Sequence, residues 1–160
     1  MPAGSTYEPI ATTTLGSTAT SYTFTSIPST YTDLVLVIAG TTNSADNVWL
    51  RFNSDTGTNY SYNAIYGTGS AAAAVRGTND NKAFNGNIGT AQSNTISHIM
   101  NYSNSTTNKT VISRSNKPDQ FVLAYVTLWR NTAAITSVEV GTNATFQIGC
   151  TFTLYGIAAA

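Results

Sequence analysis

The sequence predicts an all-β fold, a jelly-roll-like antiparallel β-sandwich, on three observations. Thr, Ser and Asn are set against Tyr, Phe, Val and Ile in stretches such as TATSYTFTS, GTNYSYNAIYG and NYSNSTTNKTVI, and β-branched and aromatic residues fit a pleated, half-buried surface. Segments of that kind recur between clusters of Gly, Asn, Asp and Ser, which make turns. The one helix-favouring run, Ala71–Ala74, sits between glycines and is too short to hold itself together.

Taken in order, residues 1–20 carry little periodic pattern and are read as an extended arm or an edge strand. An arm would clasp a neighbouring subunit by strand addition, with Tyr7 and Ile10 as its contact candidates. Residues 21–160 are read as one sandwich domain. Its first strands are Ser21–Ser26, Asp33–Ala39 and Asn47–Asn53. Leu34–Ile38 is apolar at every position, the mark of a strand covered on both faces. In the third, Val48, Leu50 and Phe52 share one face while Trp49 and Arg51 share the other. The turn residues of Asn53–Gly57 then lead to Tyr60–Tyr66. Gly67 to Asn94 reads as long loops around one weak strand near Phe84. Thr95–Tyr102, Lys109–Ser113, Gln120–Arg130, Ile135–Val140, Ala144–Ile148 and Thr151–Ile157 complete the set. Phe121–Trp129 is apolar on both faces and is expected in the middle of a sheet.

Composition narrows the function. The chain has 160 residues, enough for one domain with a real core, and 41% are hydrophobic. Only 9% are charged, where about a quarter is ordinary, so the exterior is expected to be neutral and rich in hydroxyl groups. Seven basic residues balance seven acidic ones. Such a surface offers no basic face for phosphates, which argues against nucleic acid as a partner. Weak self-repulsion favours association, so a homo-oligomer is expected. The longest apolar runs, Leu34–Ala39 and Phe121–Val126, are far too short to cross a bilayer as helices. No basic, apolar leader opens the chain, so it is expected to be made in a cytoplasm and to enter no membrane by itself. Cys150 is the single cysteine. It lies in Phe146–Phe152, which reads as a strand in which Cys is a small buried hydrophobe.

Catalytic groups are sparse. His98 is the one histidine and shares strand parity with Ile96 and Met100, which fits a core or interface histidine with no acidic orienter beside it in sequence. Glu8, Asp33, Asp46, Asp55, Asp80, Asp119 and Glu139 stand singly, mostly beside turn residues. Paired glycosidase carboxylates, zinc-type Cys/His spacing and phosphate-binding glycine motifs are all missing from the pattern. The chain is therefore read as a non-enzyme without metal or other cofactor. The remaining signal is aromatic. Trp49, Tyr60, Tyr62 and Tyr66 are the contact candidates, for a subunit or for a stacked sugar, because Tyr and Trp anchor interfaces.

These residues also carry a resemblance. The stretches are Tyr7-Glu-Pro-Ile-Ala-Thr-Thr-Thr-Leu-Gly16, Pro28-Ser-Thr-Tyr-Thr-Asp-Leu-Val-Leu-Val37 and Leu50-Arg-Phe-Asn-Ser-Asp-Thr-Gly-Thr-Asn-Tyr-Ser-Tyr62. Ile99-Met-Asn-Tyr-Ser-Asn104, Leu128-Trp-Arg-Asn-Thr-Ala-Ala-Ile135 and Thr151-Phe-Thr-Leu-Tyr-Gly-Ile157 follow. Together they resemble the small virion structural proteins of tailed phages of marine and freshwater bacteria, cyanophages included. The resemblance implies a component of the phage particle. One small β domain without a stem or docking segment implies a capsid decoration (cement) protein bound to the major capsid protein, and by analogy a trimer. The alternative it leaves open is a tail- or fibre-associated module that recognises host surface glycans.

Overall fold

The computed structural model describes residues 6–158. Twelve strands form among them: β1 Tyr7–Thr14, β2 Ala19–Phe24, β3 Asp33–Gly40, β4 Asp46–Phe52, β5 Tyr60–Gly67 and β6 Ala72–Asp80, then β7 Ala83–Ile88, β8 Ser93–Met100, β9 Lys109–Lys117, β10 Phe121–Trp129, β11 Val138–Phe146 and β12 Thr151–Ile157. There is no helix among the described residues. An eight-stranded sheet runs β1-β12-β3-β8-β9-β10-β5-β6 and a four-stranded sheet runs β2-β11-β4-β7. Every pairing is antiparallel. The all-β antiparallel sandwich is as the sequence predicts. The strand order by itself does not establish a jelly-roll winding.

Several expectations change. Gly67 to Asn94 holds two strands, not one, because the Ala71–Ala74 run continues into β6 and pairs with β5 from Gly67↔Ala72 to Tyr60↔Asp80. Ile135–Val140 and Ala144–Ile148 are not separate strands. Val138–Phe146 is one strand whose pairing with β2 shifts between Gly141 and Phe146. Cys150 is buried but lies at the end of a turn before β12, where its Sγ donates to Thr41 O at 3.1 Å. Tyr7–Thr14 is an edge strand on the chain's own β12, from Tyr7↔Ile157 to Thr14↔Thr151. Met1–Ser5 lie outside the described residues.

The interior has two halves of different chemistry. Beneath β3, β12, β4 and β11 it is apolar: Leu34, Leu36, Ile38, Phe152 and Leu154 of the large sheet meet Val48, Leu50, Phe52, Val140 and Phe146 of the small one. Beneath β7 it is built from hydroxyls. Ser113, Ser115 and Thr127 are buried and donate to the backbone carbonyls of Asn85 (2.6 Å), Asn87 (3.0 Å) and Phe84 (2.7 Å). Hydroxyls thus serve the interior as well as the exterior, where Thr12, Thr32 and Thr106 are exposed. A small hydroxyl lets the β7 backbone come close and gives its carbonyls a buried donor, and an unpaired buried carbonyl is costly.

Candidate functional site

Strand geometry decides where each candidate residue points, since neighbours alternate between faces. On β5 the inner set is Tyr60, Tyr62, Ala64 and Tyr66. Tyr60 is fully buried and stacks on Trp129 with ring centres 6.3 Å apart. Its hydroxyl donates to Asp55 O and accepts from Phe52 N, each at 3.2 Å. Burial pushes its pKa up to about 12. It is a core residue, not a contact residue. Tyr62 is half-buried, edge-on to Phe84 at 5.2 Å, and closes over Gly77, where any Cβ would meet its ring. Tyr66 sits edge-on to Phe121 at 6.0 Å.

Trp49 is also buried. It lies on the outer face of the small sheet over Gly141, its partner on β11, where a side chain would collide with the indole. Arg51 stands 4.6 Å and Lys82 5.2 Å from its ring, so the two cations roof it. Ile10 packs against the core, while Tyr7 is exposed and edge-on to Tyr155 at 6.3 Å. The six candidates are thus not brought together into one site.

What the fold does assemble is an apolar surface elsewhere. On the outer face of the large sheet, Ile65 is opposite Ala124 and Val126 is opposite Ile112 across the β5, β10 and β9 ladders. Ile65 is 65% exposed, Val122 63%, Val126 51% and Ile112 47%. Further along the same ladder His98 on β8 is half-buried and Val35 on β3 is buried, so the open part of the face lies over β5, β9 and β10. Toward β6 it dips into an apolar hollow of about 660 Å³ lined by Ile65, Tyr66, Ala73, Val122 and Leu123. Contiguous exposed apolar area of this kind marks interaction sites. Phe121–Trp129 lies between β9 and β5, in the middle of the sheet as its pattern predicts, but that pattern does not say which of the two apolar faces is left open.

His98 belongs to this outer face, not to the core. Its Nε2 lies 2.9 Å from Asp33 Oδ2, and Asn101 N donates to Asp33 Oδ1 at 2.6 Å. The acidic partner that the sequence did not reveal therefore comes from β3. Among the described residues no hydroxyl or thiol hydrogen-bonds to the pair, and no group of three or more His, Cys, Asp or Glu is placed to hold a metal ion. Asp55 is the most heavily bonded acid. Its carboxylate accepts from Trp129 Nε1 (2.7 Å), Gly57 N (2.8 Å) and Asn59 Nδ2 (2.9 Å). Burial works to raise its pKa, but these bonds outweigh it and hold the carboxyl below its usual range. That arrangement ties a loop to the core.

No family model matches the chain, and no curated protein does. Among solved structures, an exo-inulinase from Aspergillus awamori is similar over 95% of this chain, with a TM-score of 0.45 and 11% identity. The chain spans 30% of that protein's length.

Proposed function

We propose that the chain is a non-enzymatic virion structural protein, a capsid decoration protein that binds outside the major capsid shell and braces capsomer junctions. The carrying observation is the open apolar face formed by Ile65, Ile112, Val122 and Val126. Each such side chain contributes about 1.5–3 kcal/mol when fully buried against a partner, so a few suffice for stable docking. On this face Arg114 stands opposite Ala124 and Arg76 opposite Asn63, while the chain as a whole is neutral. The apolar part of the binding is insensitive to salt, since there is no Coulomb attraction in it to screen. The protein is made in the host bacterial cytoplasm and resides in the virion as a homo-oligomer, by analogy a trimer. Neither nucleic acid nor membrane is a partner in this reading.

The rival placement is a tail or fibre module reading host glycans. It calls for exposed aromatic rings, and Trp49 and Tyr60 are buried, so less supports it.

Two measurements test the proposal. The copy number per virion is expected in fixed stoichiometry with the major capsid protein; a number matching the tail instead moves the assignment to the rival. In co-sedimentation with particles, Val122→Asp/Val126→Asp is expected to bind at least about 100-fold more weakly, as loss of two apolar anchors implies. Unchanged binding removes this face from the proposal.

A further inference from the structure

A sheet edge exposes a row of backbone N–H and C=O groups that can template another strand, and proteins usually guard such edges. This sandwich has four edges: β1 and β6 in the large sheet, β2 and β7 in the small one. β1 is interrupted by Pro9 and by a register shift between Pro9 and Ala11. β2 is only six residues long and pairs irregularly with β11. β7 has its carbonyls capped by Ser113, Ser115 and Thr127. β6 has no such guard along Ala72–Arg76. That stretch pairs only with β5, is exposed at every position, and contains no proline. Its irregularity is confined to the far end, where Asn79 has φ +60° and the shift falls between Tyr60 and Ser61.

We infer that β6 is a self-association edge, pairing antiparallel with β6 of a second copy of this chain across a two-fold axis. The occupant follows from the strand itself. A two-fold axis at Ala73 or Ala74 sets small neutral side chains against one another on both faces. With the axis at Ala74, Arg76 stands opposite Ala72, so the two guanidinium groups are roughly 13 Å apart along the strands. Opposed like charges, the usual obstacle to such pairing, do not arise. A chain with no net charge adds no general repulsion. The pairing also joins the two large sheets into one continuous surface. The apolar hollow beside Ile65 and Val122 then lies next to its counterpart, and the isologous contact closes on itself without growing a filament. This dimer replaces the trimer taken by analogy in the proposed function, while the capsid-binding part of that proposal is independent of it.

Sedimentation across a concentration series is expected to show a monomer–dimer equilibrium. Ala73→Lys/Ala74→Lys is expected to weaken it at least 30-fold, because either axis then opposes two ammonium groups. Ala74→Cys, with the axis at Ala74, or Ala73→Cys, with the axis at Ala73, is expected to oxidise to a covalent dimer, since the native Cys150 is buried. A native chain that stays monomeric at all concentrations overturns the inference. So does an oligomer that survives the lysine pair and forms neither cysteine link, or protection of β6 amides from hydrogen exchange only when capsid protein is added. Particle binding by a monomeric chain would leave the decoration reading standing while this inference falls.

Discussion

In the sequence Asp55 reads as a turn residue and Tyr60 as a contact candidate at the start of a strand, yet together they hold one corner of the sandwich. Trp129 Nε1 on β10 donates to Asp55 Oδ2 in the β4–β5 loop at 2.7 Å, and Tyr60 packs against both Trp129 and Phe52. Asp55→Ala strands that indole donor and two further donors, Asn59 and Gly57, and should cost about 1–3 kcal/mol in chemical denaturation. The Asp55 carboxyl titrates below its unfolded value. Its contribution is therefore complete above about pH 4 and is lost as pH falls through the lower folded value. Acid unfolding of Asp55→Asn should accordingly show a weaker pH dependence below pH 4 than the native chain. Tyr60 and Tyr125 run the other way. Burial holds both near pKa 12, so their contribution is intact below about pH 10 and is lost as pH rises toward 12. Tyr60→Phe should flatten that alkaline loss, as read from thermal melts between neutral pH and pH 12.

Among the elements, those with strong alternation or a continuous apolar run were legible. Leu34–Ile38 lies within β3, central and paired on both sides, although only its Leu34, Leu36 and Ile38 face lies in the core and Val37 on the other face is half-buried. The parity of Val48, Leu50 and Phe52 is that of the core. β6 was not legible, because Ala, Gly, Asn and Asp have low strand propensity and β6 exists only by pairing with β5. β1 was ambiguous for a related reason: a Thr-rich segment fits a free arm and an edge strand equally well. Its register on β12, with Ile10, Ala11 and Leu15 packed on the core, predicts that deleting residues 1–14 lowers the melting temperature sharply. An unchanged melting temperature would mean that β1 adds nothing to the fold. Gly141 marks the small sheet in the same way. Gly141→Ala should displace the Trp49 ring and cost about 1–3 kcal/mol as overpacking does, with a shift in tryptophan emission as the check.

For the whole molecule, far-ultraviolet circular dichroism should report strand without helix, and a helical spectrum would contradict the fold. Val122→Asp/Val126→Asp should melt within about 1 kcal/mol of the native chain, because exposed positions away from packed features change stability little. That result would separate loss of docking from loss of fold. The sequence by itself determined the fold class, most of the strand positions and the neutral, weakly charged surface, because alternation and composition are local properties. It also marked Phe121–Trp129 as a strand with two apolar faces. Only the tertiary structure decided which of those faces is open. It also turned Tyr60 and Trp49 inward, brought Asp33 to His98, and sent the hydroxyls of β9 and β10 into the interior. Those outcomes depend on which strands become neighbours, and a strand's own residues fix its two faces without fixing what, if anything, will cover each one.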